Sequence, residues 1–389
     1  MVLLPDAHPG FSCPFEPFDD DYLLAIARQQ SARNVEAFLQ RSRGHLLEHA
    51  AGLEEVLDDF HGDPGDFDAV WHTSVGQLGV ANGPGWSLSA AVNLGLHVGA
   101  RRSCSWSANL PVSQLFRFSH FELPSASRVT FDRDGNEATI ALEHEQAATR
   151  LNFYLEADDW RSDVVPRLLR VWSGANPVSI VPRLPPPVSL PEGLRASGPP
   201  DEATRSGYAG AYALIADFAH IYAPWVRRTI RELLPLESPS NATCSNSFEF
   251  LPGLVALSRH APQIGLSELL VHEASHQYFH LLARVGPVHD GSDTELYYSP
   301  AVRVRRPIDK ILLAYHAFAN IFLFYRTCRA NGFEEAAGAP RVCADQEHFL
   351  KAWLDELSEP LRTTRALTPI GRALFEPLAA RVGSGARVR

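Results

Sequence analysis

The chain is nearly free of lysine and methionine. Lys310 and Lys351 are its only lysines, and Met1 is its only methionine. Arginine therefore carries almost all the positive charge. The balance of 35 basic against 45 acidic residues leaves a formal charge of −10. A nucleic-acid binder needs basic stripes to release counterions, so this balance speaks against that class. No run of about 18 apolar residues is present, so no transmembrane helix and no membrane partner is expected. The opening MVLLPDAHPGFSCPF lacks a basic segment followed by an apolar one, which predicts no signal peptide. The five cysteines (Cys13, Cys104, Cys244, Cys328 and Cys343) are odd in number, scattered and without a C-x-x-C pair. Free thiols and a cytoplasmic location follow as expectations. A hydrophobic content of 45% over 389 residues is enough for a full core and predicts two or three domains.

What is present divides the chain unevenly. Residues 20–60 have helical spacing and open on acidic residues, which predicts two helices with a break at Gly44. Residues 68–160 read as strand-rich, through VGQLGV, SLSAAVNLGLHVGA, SRVTFDRDGNEATIALE and TRLNFYLEA. Asp134-Gly135 there marks a hairpin turn. The Pro-rich segment 182–200 must be extended and predicts a linker or strap. It separates an N-terminal α+β region, 1–181, from a mostly helical region, 201–389. Beyond it, helical periodicity runs through 203–236 with a break near Pro224, and FEFLPGLVALS reads as a short strand. A strand of that kind runs beside a metal-binding helix and offers its edge to a peptide. The expected fold class is α+β.

The chemistry concentrates in SELLVHEASHQYFHLLARV, residues 267–285, which holds His272-Glu273-Ala274-Ser275-His276. Apolar residues recur at three and four, so the segment predicts a helix. His272 and His276 then share one face, and two neutral imidazoles suit a first-row divalent metal, zinc or iron. His280 falls on nearly the same face, but three ligands in a straight row cannot converge on one ion. A third ligand must come from elsewhere, and two candidates compete. Glu295 gives H-E-x-x-H-x18-E, while His316 lies on a second apolar helix, ILLAYHAFANIFLFYR. HDGSDTE resembles a calcium loop only loosely, since its spacing is not that of an EF-hand. His72, His97 and His120 in the strand-rich half read as structural.

With Glu295 as ligand, HEASHQYF resembles the helix of the zinc aminopeptidases, and Glu273 becomes the base that activates zinc-bound water. A wider resemblance points elsewhere. Pro252-Gly253, Leu270 to His276, Tyr298-Ser299-Pro300, Arg306-Pro307 and His316-Ala317-Phe318 stand in the order found in the HExxH proteins of ribosomal peptide natural-product clusters. That family is regarded as 2-oxoglutarate-dependent peptide β-hydroxylases. The resemblance covers residues 245–330. It implies Fe(II) held by His272, His276 and His316, and a precursor peptide, 2-oxoglutarate and oxygen as partners. Such an oxygenase needs a cation for the far carboxylate of 2-oxoglutarate; VRVRRP supplies Arg303, Arg305 and Arg306, of which Arg306 matches the family position, and Tyr298 offers a hydroxyl. Glu273 is then a catalytic or ligand-orienting carboxylate.

Overall fold

A computed structural model describes residues 9–145, 147–172, 177–237 and 243–383. The N-terminal part opens with helices α1 (Pro9–Ser12) and α2 (Asp20–His49). Strand β1 (Ala50–Ala51) and helices α3 (Leu53–Gly62), α4 (Phe67–Val70), α5 (Thr73–Val80) and α6 (Pro84–Gly99) follow. Asp19 caps α2 by accepting the Tyr22 amide, and Asp20 and Asp21 in the first turn suit the positive end of the helix. The helix runs straight through Gly44, correcting the expected break there. A glycine inside a helix costs only about 1 kcal/mol, which the buried Phe38, Leu39 and Leu46 around it exceed. The turn falls instead at Gly52, whose φ of 77° favours glycine.

The segments VGQLGV and SLSAAVNLGLHVGA are helices α5 and α6, not strands. Helix α6 is buried from Ser87 to Gly99, so its all-round apolar character hides the helical period. The expected strands begin later, as β2 (Ser105–Phe118), β3 (Phe121–Asp134), β4 (Glu137–His144), β5 (Ala147–Glu156) and β6 (Asp159–Arg161). With β1 they form an antiparallel sheet in sequential order. Its β3–β4 hairpin turns at Asp134-Gly135, and Gly135 has a φ of 57°.

A second sheet unites the two sides of the Pro-rich segment. Strands β7 (Arg170–Trp172) and β8 (Val178–Ile180) precede it, and β9 (Arg195–Ala196) lies within it. After helices α7 (Glu202–Phe218) and α8 (Tyr222–Thr229) come β10 (Glu232–Glu237), β11 (Ser245–Ser247) and β12 (Leu254–Ser258). The order is β11-β12-β10-β8-β7, and β10 lies parallel to both β8 and β12. Residues 182–200 are thus a strap pressed on the sheet, with Leu184, Val188, Leu190 and Leu194 against its core. The α7–α8 break precedes Pro224, which sits in the first turn of α8 where its missing N–H costs nothing. RELLPL forms β10 rather than a helix end, because both of its sides are covered.

The remaining chain supplies helix α9 (Gln263–Ala283), the β13 (Tyr297–Ser299) and β14 (Val304–Arg306) hairpin, and helices α10 (Ile308–Ala330), α11 (Phe333–Ala336), α12 (Val342–Thr363) and α13 (Pro369–Gly383). The fold is α+β with a helical C-terminal half. One hydrophobic core joins α1 and α2 to α9, α10 and α13, so it crosses the expected region boundary. Helix α10 is long and apolar enough to cross a membrane by length and composition, yet 83% of its apolar window is buried inside the protein. All five cysteines are free.

Helix α5 approaches the turn before β12 very closely. A Cβ on Gly76 would lie 2.1 Å from the Phe250 carbonyl oxygen and 2.4 Å from Pro252 Cδ. Gly76→Ala is therefore expected to destabilise the fold by about 1–3 kcal/mol through overpacking. A urea midpoint equal to that of the wild type would show that the contact yields freely.

Candidate metal site

Two anchors fix α9 beside the second sheet. Gln277, buried, accepts the Gly253 amide at 3.2 Å, and its own amide donates to the Leu254 carbonyl at 3.5 Å. Gly253 has a φ of 82°, so the Pro252-Gly253 turn needs glycine there. Ser267 donates to the Ala211 carbonyl on α7. The partly exposed face of α9 carries Glu268, His272, His276 and His280, each four residues from the last. It runs antiparallel to α10: Tyr325 donates to Glu268 at 2.5 Å, and the Phe318 ring stands 5.6 Å from that of His272.

The Nε2 atoms of His272 and His276 lie 3.0 Å apart. Two metal–nitrogen bonds of about 2.1 Å meeting at a right angle place their donors about 3.0 Å apart. Burial lowers both pKa values, that of His272 to about 4, so each ring is a neutral donor at pH 7. The Nδ1 of His276 is buried without a hydrogen-bond partner, leaving the imidazole no protein acceptor on that side.

Glu273 is 1% exposed, and burial pushes its carboxyl up to about 7. Ser245 and Ser247 of the edge strand β11 face it and oppose that rise. Its Oε2 has no hydrogen-bond partner. Its other oxygen is 3.9 Å from His272 Nε2. The edge next to α9 is thus β11, not the expected FEFLPGLVALS strand, whose β12 pairs on both sides.

His316 is not brought to the pair. It is fully buried, with its ring 6.0 Å from that of Phe279 on α9 and its Nε2–H donated to the Phe11 carbonyl at 2.9 Å. Asn320, one turn on, donates to the Ser12 carbonyl at 2.9 Å. Together they pin the N-terminal segment to the helical half. The α10 side chain that meets the pair is Phe318, against His272. Glu295 is exposed on its loop, with its amide on Asp293. Among the described residues, no third His, Cys, Asp or Glu offers a ligand atom within 4.8 Å of both Nε2 atoms.

The β13–β14 register sorts the remaining candidates. Tyr297 pairs with Arg306 and Tyr298 with Arg305, so Tyr298 and Arg306 occupy opposite faces of the hairpin. Arg303 sits in the turn at a φ of 56° and is exposed. Arg306 lies close enough to His276 for its charge to lower that histidine's pKa. Among the described residues the Arg306 side chain makes no hydrogen bond or ion pair.

An aromatic wall leads outward from the pair. Phe318 packs on Trp353 of α12 at 5.0 Å, and Trp353 on Phe349 at 4.6 Å. Sequence reading missed Trp353 and Phe349, whose helix carries no motif, and also the serines of β11. A cavity of about 920 Å³ lies elsewhere, and no residue of α9 lines it. His72 and His97, stacked at 3.8 Å, line it. Its Arg101, Arg170 and Arg231 are neutralised by Asp66, Asp159 and Asp68. Comparison with known protein families and with characterised proteins finds no match to the chain.

Proposed function

We propose that the protein is an Fe(II)- and 2-oxoglutarate-dependent oxygenase that hydroxylates a side-chain β-carbon in a ribosomally made precursor peptide. The observation that carries a metal centre is the 3.0 Å convergence of His272 and His276 Nε2. A ferrous ion with a bound 2-oxo acid supplies oxidative hydroxylation of an unactivated C–H bond. The protein's share is binding and exclusion. His272 and His276 hold the metal on a rigid, doubly anchored helix. Arg306, with its guanidinium unengaged beside them, pairs with the far carboxylate of the 2-oxo acid. Phe318 and Trp353 present an apolar wall that keeps water from the target side chain. Glu273, whose carboxyl burial pushes up to about 7, lies beside His272 and would hold or release a proton at its carboxyl next to the metal position. Among the described strands β11 is the edge of the second sheet, the place where an extended peptide would add a strand.

The competing reading, a zinc metallopeptidase with Glu295 as third ligand, requires Glu295 at the metal, and in this fold it stays on an exposed loop. The deciding experiment is anaerobic loading with Fe(II), then addition of 2-oxoglutarate. The expected result is a visible charge-transfer band, followed under oxygen by succinate. The band should weaken in Arg306→Ala at limiting 2-oxoglutarate. Tight zinc with cleavage of a peptide library, and no band, would overturn the proposal.

A further inference from the structure

The last two turns of α2 hold a second constellation of metal-ligand type. Residues 45–49 read HLLEH, with histidines at i and i+4 and a glutamate at i+3. This is the HExxH order reversed. Helical geometry puts all three on one face. Ligand atoms of His45, Glu48 and His49 all lie within 4.8 Å of one another, the one such group of three among the described residues. The two rings stand 4.4 Å apart, and Glu48 Oε2 is 3.6 Å from His49 Nε2. His45 Nε2 is buried and has no hydrogen-bond partner. A buried imidazole nitrogen left without a partner is costly unless something else fills that place.

We propose that His45, Glu48 and His49 form a binding site for a divalent first-row transition metal, of the zinc class, separate from the α9 centre. Two imidazoles and one carboxylate suit such an ion, whereas calcium and magnesium call for oxygen ligands throughout. The site lies at the C-terminal end of α2, where the helix dipole favours a cation. The nearby Arg43 is engaged by Glu54 and Asp58 of α3 and contributes little repulsion. Glu48 stands close enough to both histidines to be a ligand, with the remaining positions open to water: its side chain is 71% exposed and that of His49 is 36% exposed. Bound metal would clamp the turn through which the chain passes from α2 into β1 and the first sheet. The site is also remote from α9. Helix α2 meets the end of α9 at Arg33, which donates to the Arg284 carbonyl, and His45 lies about 18 Å further along α2.

The test uses the tag-free full chain, stripped with a chelator and titrated with Zn(II) in equilibrium dialysis and with Co(II) by visible absorption. Wild-type protein is expected to bind two equivalents, and His49→Ala and His272→Ala one each. Glu48→Gln, nearly isosteric and exposed, should keep the wild-type far-UV spectrum. It should weaken the α2 site by more than the roughly 10–100-fold that loss of an outer-sphere partner costs. Unchanged stoichiometry and affinity in both His49→Ala and Glu48→Gln would overturn the proposal. An equivalent that survives His272→Ala and vanishes in the His272→Ala/His49→Ala double variant supports it, whatever becomes of the α9 reading.

Discussion

Replacing His276 with alanine should abolish the metal centre on α9 while leaving the fold intact. The side chain lies on the partly exposed face of the helix, so its removal leaves no deep cavity. What is lost is one of two converging Nε2 donors. Only a single imidazole would remain, so affinity should fall by more than the roughly 10–100-fold that loss of an outer-sphere partner costs. Succinate formation with peptide and 2-oxoglutarate should fall below detection, and the charge-transfer band should vanish. His316→Gln is the informative contrast. A glutamine amide can still donate to the Phe11 carbonyl, so the metal and the band should survive with some loss of stability. Loss of the band in His316→Gln at unchanged stability would instead make His316 a ligand, against its placement on the buried face of α10.

The metal-free protein should unfold in mild acid. Burial lowers the pKa of His72, His97, His120, His272, His276, His280 and His316. The sign is fixed by linkage. Below about pH 6.5 the unfolded chain takes up protons that these folded imidazoles refuse, so stability is full above 6.5 and drains away as the pH falls toward 4. His316 is 0% exposed, and its pKa of about 4 corresponds to about 3 kcal/mol once the pH is below that value. His97 and His120, 7% and 3% exposed, act in the same direction. Their joint effect rivals the roughly 5–15 kcal/mol that holds a typical domain together. Urea midpoints in chelator at pH 7.5, 6.0 and 5.0 should fall steeply, and the fall should be shallower in His316→Gln. A midpoint that is flat from pH 7.5 to 5.0 would show that these histidines accept protons without unfolding.

Much of this protein was legible from residue order alone. The α9 helix, its shared histidine face, the loop after it, the α10 helix and the β3–β4 hairpin all follow from local rules of periodicity and turn chemistry. Those rules act over a few residues, and the sequence states them directly. They failed where burial was complete. Helix α6 is apolar on every side, so its period vanished and it read as strand; β10 is buried on both faces and read as helix. Gly44 looked like a break because propensity is a small local term, and packing of Phe38 and Leu46 outweighed it.

The site divides in the same way. That His272 and His276 face one point is a property of a helix and could be read in advance. Which side of α10 faces them is not, because it depends on how two helices roll against each other around the core. That roll sends His316 to the Phe11 carbonyl and brings Phe318 to the ring of His272. Hairpin register likewise set Tyr298 and Arg306 on opposite faces, an alternation that a single slip would invert. Helical spacing alone decided which histidines share a face. Only tertiary packing decided what surrounds them, because contacts between distant segments are chosen by the whole core at once.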